Sequence, residues 1–185
     1  MKKRVGTVSL AGCFGCHMSL LDIDERLLEL LEEVEFDRSP LNDLKRFTRR
    51  CDIGLVEGGC CNEENVHTLR DFRRNCDVLI AVGQCAIMGG LPVMRNAIMH
   101  AEDPLRECLE TAYLNSDTVY NPGNRIPNDE ALPLMLDKVY TLADVVKVDY
   151  QIPGCPPSGE TLWRSLQALL AGAPGDLPYE LIKYD

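Results

Sequence analysis

Residues 51–60 read CDIGLVEGGC, and residues 76–85 read CDVLIAVGQC. Each is a short apolar run that opens at Cys-Asp and closes in glycine and cysteine. Runs of this length, rich in Val, Ile and Leu and bounded by turn residues, read as strands buried on both faces. The copies align at an offset of 25 residues (51 to 76), with Cys51 on Cys76, Gly58 on Gly83 and Cys60 on Cys85. No third copy follows, so this is one strand-and-turn solution used twice, not a solenoid.

Working outward, the pattern alternates. Arg4 to Leu10 reads as a first strand. Ser19 onward reads as a helix: Leu20, Ile23, Leu27, Leu30/Leu31 and Val34 form one stripe, with Asp22, Asp24, Glu25 and Glu29 opposite. Ser19 followed by Asp22 supplies its start. Glu63 to Arg74 reads as an amphipathic helix, Ala86 to His100 as loop and helix, and Val145 to Ile152 as a fourth strand. PGCPPSGE (153–160) is a rigid turn before a closing helix over Thr161 to Leu170. Strands alternating with helices predict an α/β fold, a doubly wound, flavodoxin-like parallel sheet with helices on both faces. One domain spans 1–185, with a proline-bearing insertion over about 103–144 read as a partner-docking excursion.

Composition narrows the function. With 45% hydrophobic residues, the 185-residue chain has no apolar run near the ~18 residues that a membrane span needs. A formal charge of −10 argues against nucleic acid or an anionic membrane as partner. Lys45, Arg46, Arg49 and Arg50 read as a solvated helix face. SLAGC (9–13) has the look of a lipoprotein attachment box, but Thr7, Ser9 and two glycines interrupt the apolar stretch before it. A secretory core needs about 7–15 continuous apolar residues, and the alternation here suits a strand instead.

Nine cysteines are many, the number is odd, and Cys60 and Cys61 are adjacent. A chain this long buries roughly 70% of its unfolded surface without staples, so a disulfide framework is not required. Thiols serving a metal or cluster in a reducing compartment fit better, with at least three acting only as small core residues. In a parallel sheet the loops after the strands gather at one edge, where ligands bind. Cys13 and Cys16 follow the first strand, Cys60 and Cys61 the second, Cys85 the third and Cys155 the fourth, and Glu57 sits on the same rim. Cys51 and Cys76 begin their strands, about 20 Å away, and Cys108 falls in a helical segment as an inert thiol.

Glycines flank nearly every rim cysteine, allowing close backbone approach to an inorganic core and leaving N–H groups free to bond sulfur. A thioredoxin-like dithiol would use Cys13-x-x-Cys16 and leave Cys85 and Cys155 without a role. Structural zinc wants a second close pair, whereas 68 residues separate Cys16 from Cys85 and 69 separate Cys85 from Cys155. A 4Fe–4S cluster accommodates such long-range ligands on a rigid rim. The sequence has neither G-x-G-x-x-G nor a P-loop, so dinucleotide and ATP lack their usual cradle. FMN after the first strand would meet the Cys13–Cys16 loop.

Four blocks, CFGCHMS (13–19), VEGG (56–59), GQCAIMGG (83–90) and PGCPPSGE (153–160), resemble the small subunit of NiFe hydrogenases. The last two are shared with the cluster-bearing subunit of respiratory complex I. Within the family, the short acidic chain is most similar to the small subunits of cytoplasmic NAD-reducing, bidirectional (Hox-type) hydrogenases. The resemblance implies one proximal 4Fe–4S cluster held by Cys13, Cys16, Cys85 and Cys155. It places the NiFe centre on a large partner subunit, and further Fe–S clusters, FMN and NAD on diaphorase partners, with no catalysis by this chain alone.

No cysteine follows Cys155 and 30 residues remain, so the chain is expected to hold one cluster and pass electrons directly to another subunit. Cys60 is the further thiol to be weighed as a ligand. Glu57 is read either as a proton relay or transient iron ligand, or as a cap on nearby backbone N–H groups. His17, beside Cys16, is read as facing the large partner in preference to tuning the cluster, while His67 and His100 carry no role. The rival is a cluster-bearing subunit of a complex I-like, quinone-reducing assembly. The C-x-x-C after the first strand, where complex I has two adjacent cysteines, favours the hydrogenase.

Overall fold

A computed structural model of the chain describes residues 2–98, 102–173 and 178–182. Strands β1 (Lys3–Ser9), β2 (Val34–Phe36), β3 (Cys51–Glu57), β4 (Cys60–Asn62), β5 (Cys76–Val82), β6 (Met135–Tyr140) and β7 (Tyr150–Ile152) form two sheets. The main sheet is parallel, in the order β2-β1-β3-β5-β7, and β4 pairs antiparallel with β6. Numbering only the main-sheet strands gives the flavodoxin-like order 2-1-3-4-5. The 25-residue repeat is also the register: Cys51 lies opposite Cys76, Ile53 opposite Val78 and Glu57 opposite Val82.

Helices α1 (Gly15–Leu21), α2 (Arg26–Glu33), α3 (Glu63–Asn75), α4 (Gln84–Met88), α5 (Pro104–Tyr113), α6 (Leu142–Val145) and α7 (Gly159–Leu170) complete the fold. Alternate strand residues feed two cores. Ile53, Leu55, Ile80 and Val82 pack with Leu20, Leu30, Leu162 and Leu166 on one face. Val56, Leu79 and Ala81 pack with Leu69, Phe72, Ala86 and Leu142 on the other. Each fully buried Leu, Ile or Phe contributes roughly 1.5–3 kcal/mol, so the sheet is a rigid platform for the loops at its edge. Helix α3 carries the expected end signals. The Asn62 side chain accepts the Asn65 N–H, Glu63 and Glu64 occupy the first turn, and Arg73 and Arg74 the last.

Several local expectations are corrected. The helix drawn from Ser19 to Val34 is two helices, broken where Asp24 adopts a φ of 54°, a left-handed conformation that Asp tolerates. The first helix starts at Gly15, and the Ser19 hydroxyl donates to the Pro157 carbonyl instead of capping it. Val34 opens the edge strand β2. The basic run at 45–50 lies in an irregular, largely exposed segment, not on a helix. Val145 ends α6, which a Thr141–Asp144 capping box starts, so the fourth rim strand is only Tyr150–Ile152. The 103–144 insertion holds α5 and β6 as well as irregular chain, and His100 lies outside the described residues.

Candidate functional site

At the C-terminal edge of the sheet the loops are joined in pairs. The loop after β1 lies against the turn after β3: Ala11 and Gly59 exchange backbone hydrogen bonds of 3.0 and 2.9 Å, and Leu10 N–H donates to the Glu57 carbonyl at 2.9 Å. Gly58, at φ 83°, is needed for this approach, because a Cβ there would meet the Leu10 carbonyl carbon at 2.7 Å. The loop after β5 is joined to the chain after β7 in the same way. Gly83 N–H donates to Ile152 O at 2.8 Å, and Gln84 N–H to Gly154 O at 3.0 Å.

These two pairs bring Cys13, Cys16, Cys85 and Cys155 to one cavity, together with Gly12, Glu57, Gly58, Gln84, Gly154 and Pro156. Cys13 and Cys155 are exposed, and Cys16 and Cys85 half-buried. Glycine gives the thiols their room. A Cβ on Gly83 would lie 2.3 Å from Cys16 Sγ, and one on Gly90 would lie 2.7 Å from Cys85 Sγ. Cys60 is buried among Leu69, Phe72, Ala86 and Leu142 and does not line the cavity. Cys61 is half-buried, with its backbone N–H and thiol on Asn65 Oδ1. Cys51 and Cys76 are buried at the strand starts, and Cys108 is half-buried on α5.

Burial pushes the Cys16 thiol up, the Glu57 charge adding to it, and burial also raises Cys85. Burial pushes Cys60 up to about 12. Cys16 and Cys85 therefore need a strongly cationic centre to ionise them. Among the described residues no group of three or more His, Cys, Asp or Glu side chains is placed to hold a single metal ion. Four thiols around one cavity, not converging on one point, suit a core of several irons bridged by sulfide. The glycine-lined walls match that core, since backbone N–H groups there can bond sulfur.

Glu57 lines the cavity, and His17 is buried behind it. Glu57 Oε2 accepts the Cys16 backbone N–H at 2.9 Å, and Oε1 lies 2.8 Å from His17 Nδ1. His17 Nε2 is 3.0 Å from Thr7 Oγ1, which is 2.7 Å from Ser39 Oγ. With Nδ1–H donating to the carboxylate, Nε2 accepts from Thr7, and Thr7 accepts from Ser39. Burial works to raise the Glu57 carboxyl, but the hydrogen bonds from His17 and the Cys16 N–H outweigh it and hold the group below its ordinary range. His17 is 4% exposed, so it does not face a partner. Phe14, at φ 67°, stacks on its ring with centroids 4.7 Å apart. Thr7, Ser39 and Gln84 escaped the sequence reading. Only Gln84 carried a signal, as the polar residue between a buried strand and a rim thiol.

The family model described as "NADH ubiquinone oxidoreductase, 20 Kd subunit" matches residues 13–169. The delta subunit of the NAD-reducing hydrogenase HoxS of Cupriavidus necator is 50% identical over 186 aligned positions, covering 100% of this chain and 86% of that protein. A subunit of the F420-non-reducing vhu hydrogenase of Methanococcus voltae is 37% identical, covering 98% of this chain and 61% of its own length. A chain in a crystal structure of an NAD+-reducing [NiFe]-hydrogenase in the H2-reduced state superposes with a TM-score of 0.92 at 49% identity, with full coverage of both chains.

Proposed function

This chain belongs to the NADH ubiquinone oxidoreductase 20 kDa subunit family, and from that premise we propose that it is the electron-transfer small subunit of a NAD-reducing NiFe hydrogenase. The observation that carries the reading is the gathering of Cys13, Cys16, Cys85 and Cys155 on one cavity. The full-length identity to a hydrogenase delta subunit supports it. In this reading the four cysteines hold a single 4Fe–4S cluster. When bound, that group supplies one-electron transfer between a NiFe centre on a large partner subunit and an iron–sulfur and flavin diaphorase module that reduces NAD.

The residues of this chain do the holding and the shielding. Cys13 and Cys155 stand at the exposed side of the cavity, where a partner subunit must approach for electrons to pass. Cys16 and Cys85 stand deeper, on loops fixed to the sheet. Glu57 holds the Cys16 backbone, and we assign it that role in preference to proton relay, because both carboxylate oxygens already have donors. Among the described residues no helix is long and apolar enough to cross a membrane. A cytoplasmic complex suits nine free thiols.

Purification of the complex from its native cell tests this. A large nickel-containing partner, with iron and acid-labile sulfide bound to this chain, is the expected result. A complex without nickel would overturn the hydrogenase assignment, and a chain without sulfide would overturn the cluster.

A further inference from the structure

Gln84 opens α4 directly after the β5 turn and immediately before Cys85. It is 9% exposed and lines the cavity with the four cysteines. Its backbone N–H is used by Gly154 O, but its side-chain oxygen is buried and has no hydrogen-bond partner. The other buried side-chain atoms without partners, among the described residues, belong to Arg4 and Arg95, which do not line this cavity. A buried carboxamide end left unpaired is unfavourable, so its partner is to be sought in whatever fills the cavity.

A carboxamide can turn by 180° about its last bond without changing shape, presenting either the oxygen or the NH2 at one place. Thiolates and bridging sulfides are acceptors, and of the two ends only NH2 can bond them. We propose that the Gln84 carboxamide donates an N–H hydrogen bond to the cluster sulfurs and thereby sets the reduction potential of the cluster. The proposal rests on the cluster reading given above. It assigns Gln84 a tuning role that the cysteine ligands do not provide. Reduction places added negative charge on the sulfurs, so a donor favours the reduced state and raises the potential.

The test uses the full chain in its native complex. Gln84→Met keeps the length of the side chain and removes the donor. Its iron and acid-labile sulfide should match the wild type, while an EPR-monitored redox titration should give a lower midpoint potential. Unchanged potential at full iron loading would overturn the proposal, pointing to a donor on a partner subunit or to a purely structural role. A second measurement needs no variant: wild-type chain carrying 15N in its glutamine side chains should show a nitrogen coupling to the reduced cluster. Gln151 is exposed and Gln167 bonds Glu33, so Gln84 is the source expected. Absence of that coupling would overturn the proposal even where Gln84→Met fails to load. Wild-type chain lacking iron and sulfide would instead remove the cluster reading itself.

Discussion

Glu57 Oε2 accepts the backbone N–H of Cys16 at 2.9 Å, so the last residue of β3 fixes the loop that follows β1. The other oxygen is tied to His17, the residue after Cys16, and through His17 to Thr7 within β1. Two adjacent strands thus hold the first pair of cavity thiols from beneath. Glu57→Gln replaces one acceptor oxygen by NH2, which must oppose either the Cys16 N–H or the His17 Nδ1–H. The expected loss is about 1–3 kcal/mol in urea unfolding. Hydrogen-driven NAD reduction per loaded complex should persist. Its collapse in fully loaded protein would instead give Glu57 a proton-relay role.

Gly83 is a second point of control. Its φ of 81° with ψ of 165° is a region occupied essentially by glycine, and strain there costs about 1–3 kcal/mol. A Cβ would also stand 2.3 Å from Cys16 Sγ, closer than the thiol tolerates. Gly83→Ala is therefore expected to displace Cys16 and lose iron and sulfide. Circular dichroism should still report a folded α/β chain. Retention of full iron would mean that Cys16 is not held at this wall.

The nine thiols divide by position, and substitution should divide them likewise. Cys85→Ser is expected to leave the complex assembled while abolishing hydrogen-driven NAD reduction, because the serine oxygen is a poorer iron ligand than thiolate. Cys60→Ala should keep its iron and activity but lose about 1–2 kcal/mol, since Cys60 is wholly buried against Leu69 and Phe72. Normal electron transfer in Cys85→Ser would strike Cys85 from the ligand set. Iron loss in Cys60→Ala would add Cys60 to it.

The central strands and the rim were legible in the sequence because burial on both faces leaves an unbroken apolar run, as in Leu79–Val82. The repeat even anticipated the register of β3 on β5. What escaped was non-local or brief. The three-residue edge strand β2 was absorbed into a helical stripe, because Val34 continues the spacing of Leu27 and Leu30/Leu31. The break at Asp24 was invisible for the same reason: the stripe runs through it. Pairing of β4 with β6 joins segments more than 70 residues apart, which periodicity cannot report. Strand direction alone placed six thiols on the rim, of which Cys13, Cys16, Cys85 and Cys155 line the cavity while Cys60 and Cys61 turn away into β4. His17 was misplaced because nothing local reveals that Glu57 and Thr7, from two different strands, both reach its ring.

Asp37 makes the far end of the sheet sensitive to acid. Its carboxylate is fully buried and pairs with Arg4 Nη2 at 2.6 Å. It also accepts the Thr48 hydroxyl and the backbone N–H groups of Thr48 and Arg38, each N–H at 2.9 Å. Burial works to raise this group, but the hydrogen bonds from Thr48 and Arg38 and the charge of Arg4 outweigh it, and the carboxyl is held below its ordinary range. In the unfolded chain it titrates near about 3.9. Its contribution is therefore complete above that value and fades as pH falls from there through the lower folded value. Asp37→Asn removes one acceptor and leaves Arg4 without its anion, a loss of about 3 kcal/mol at neutral pH. The gap between wild type and variant in urea midpoint should hold from pH 7 to 5 and narrow below about pH 4. A gap unchanged at pH 3 would show that Asp37 stays ionised there in both the folded and the unfolded chain, or that its charge contributes nothing to stability.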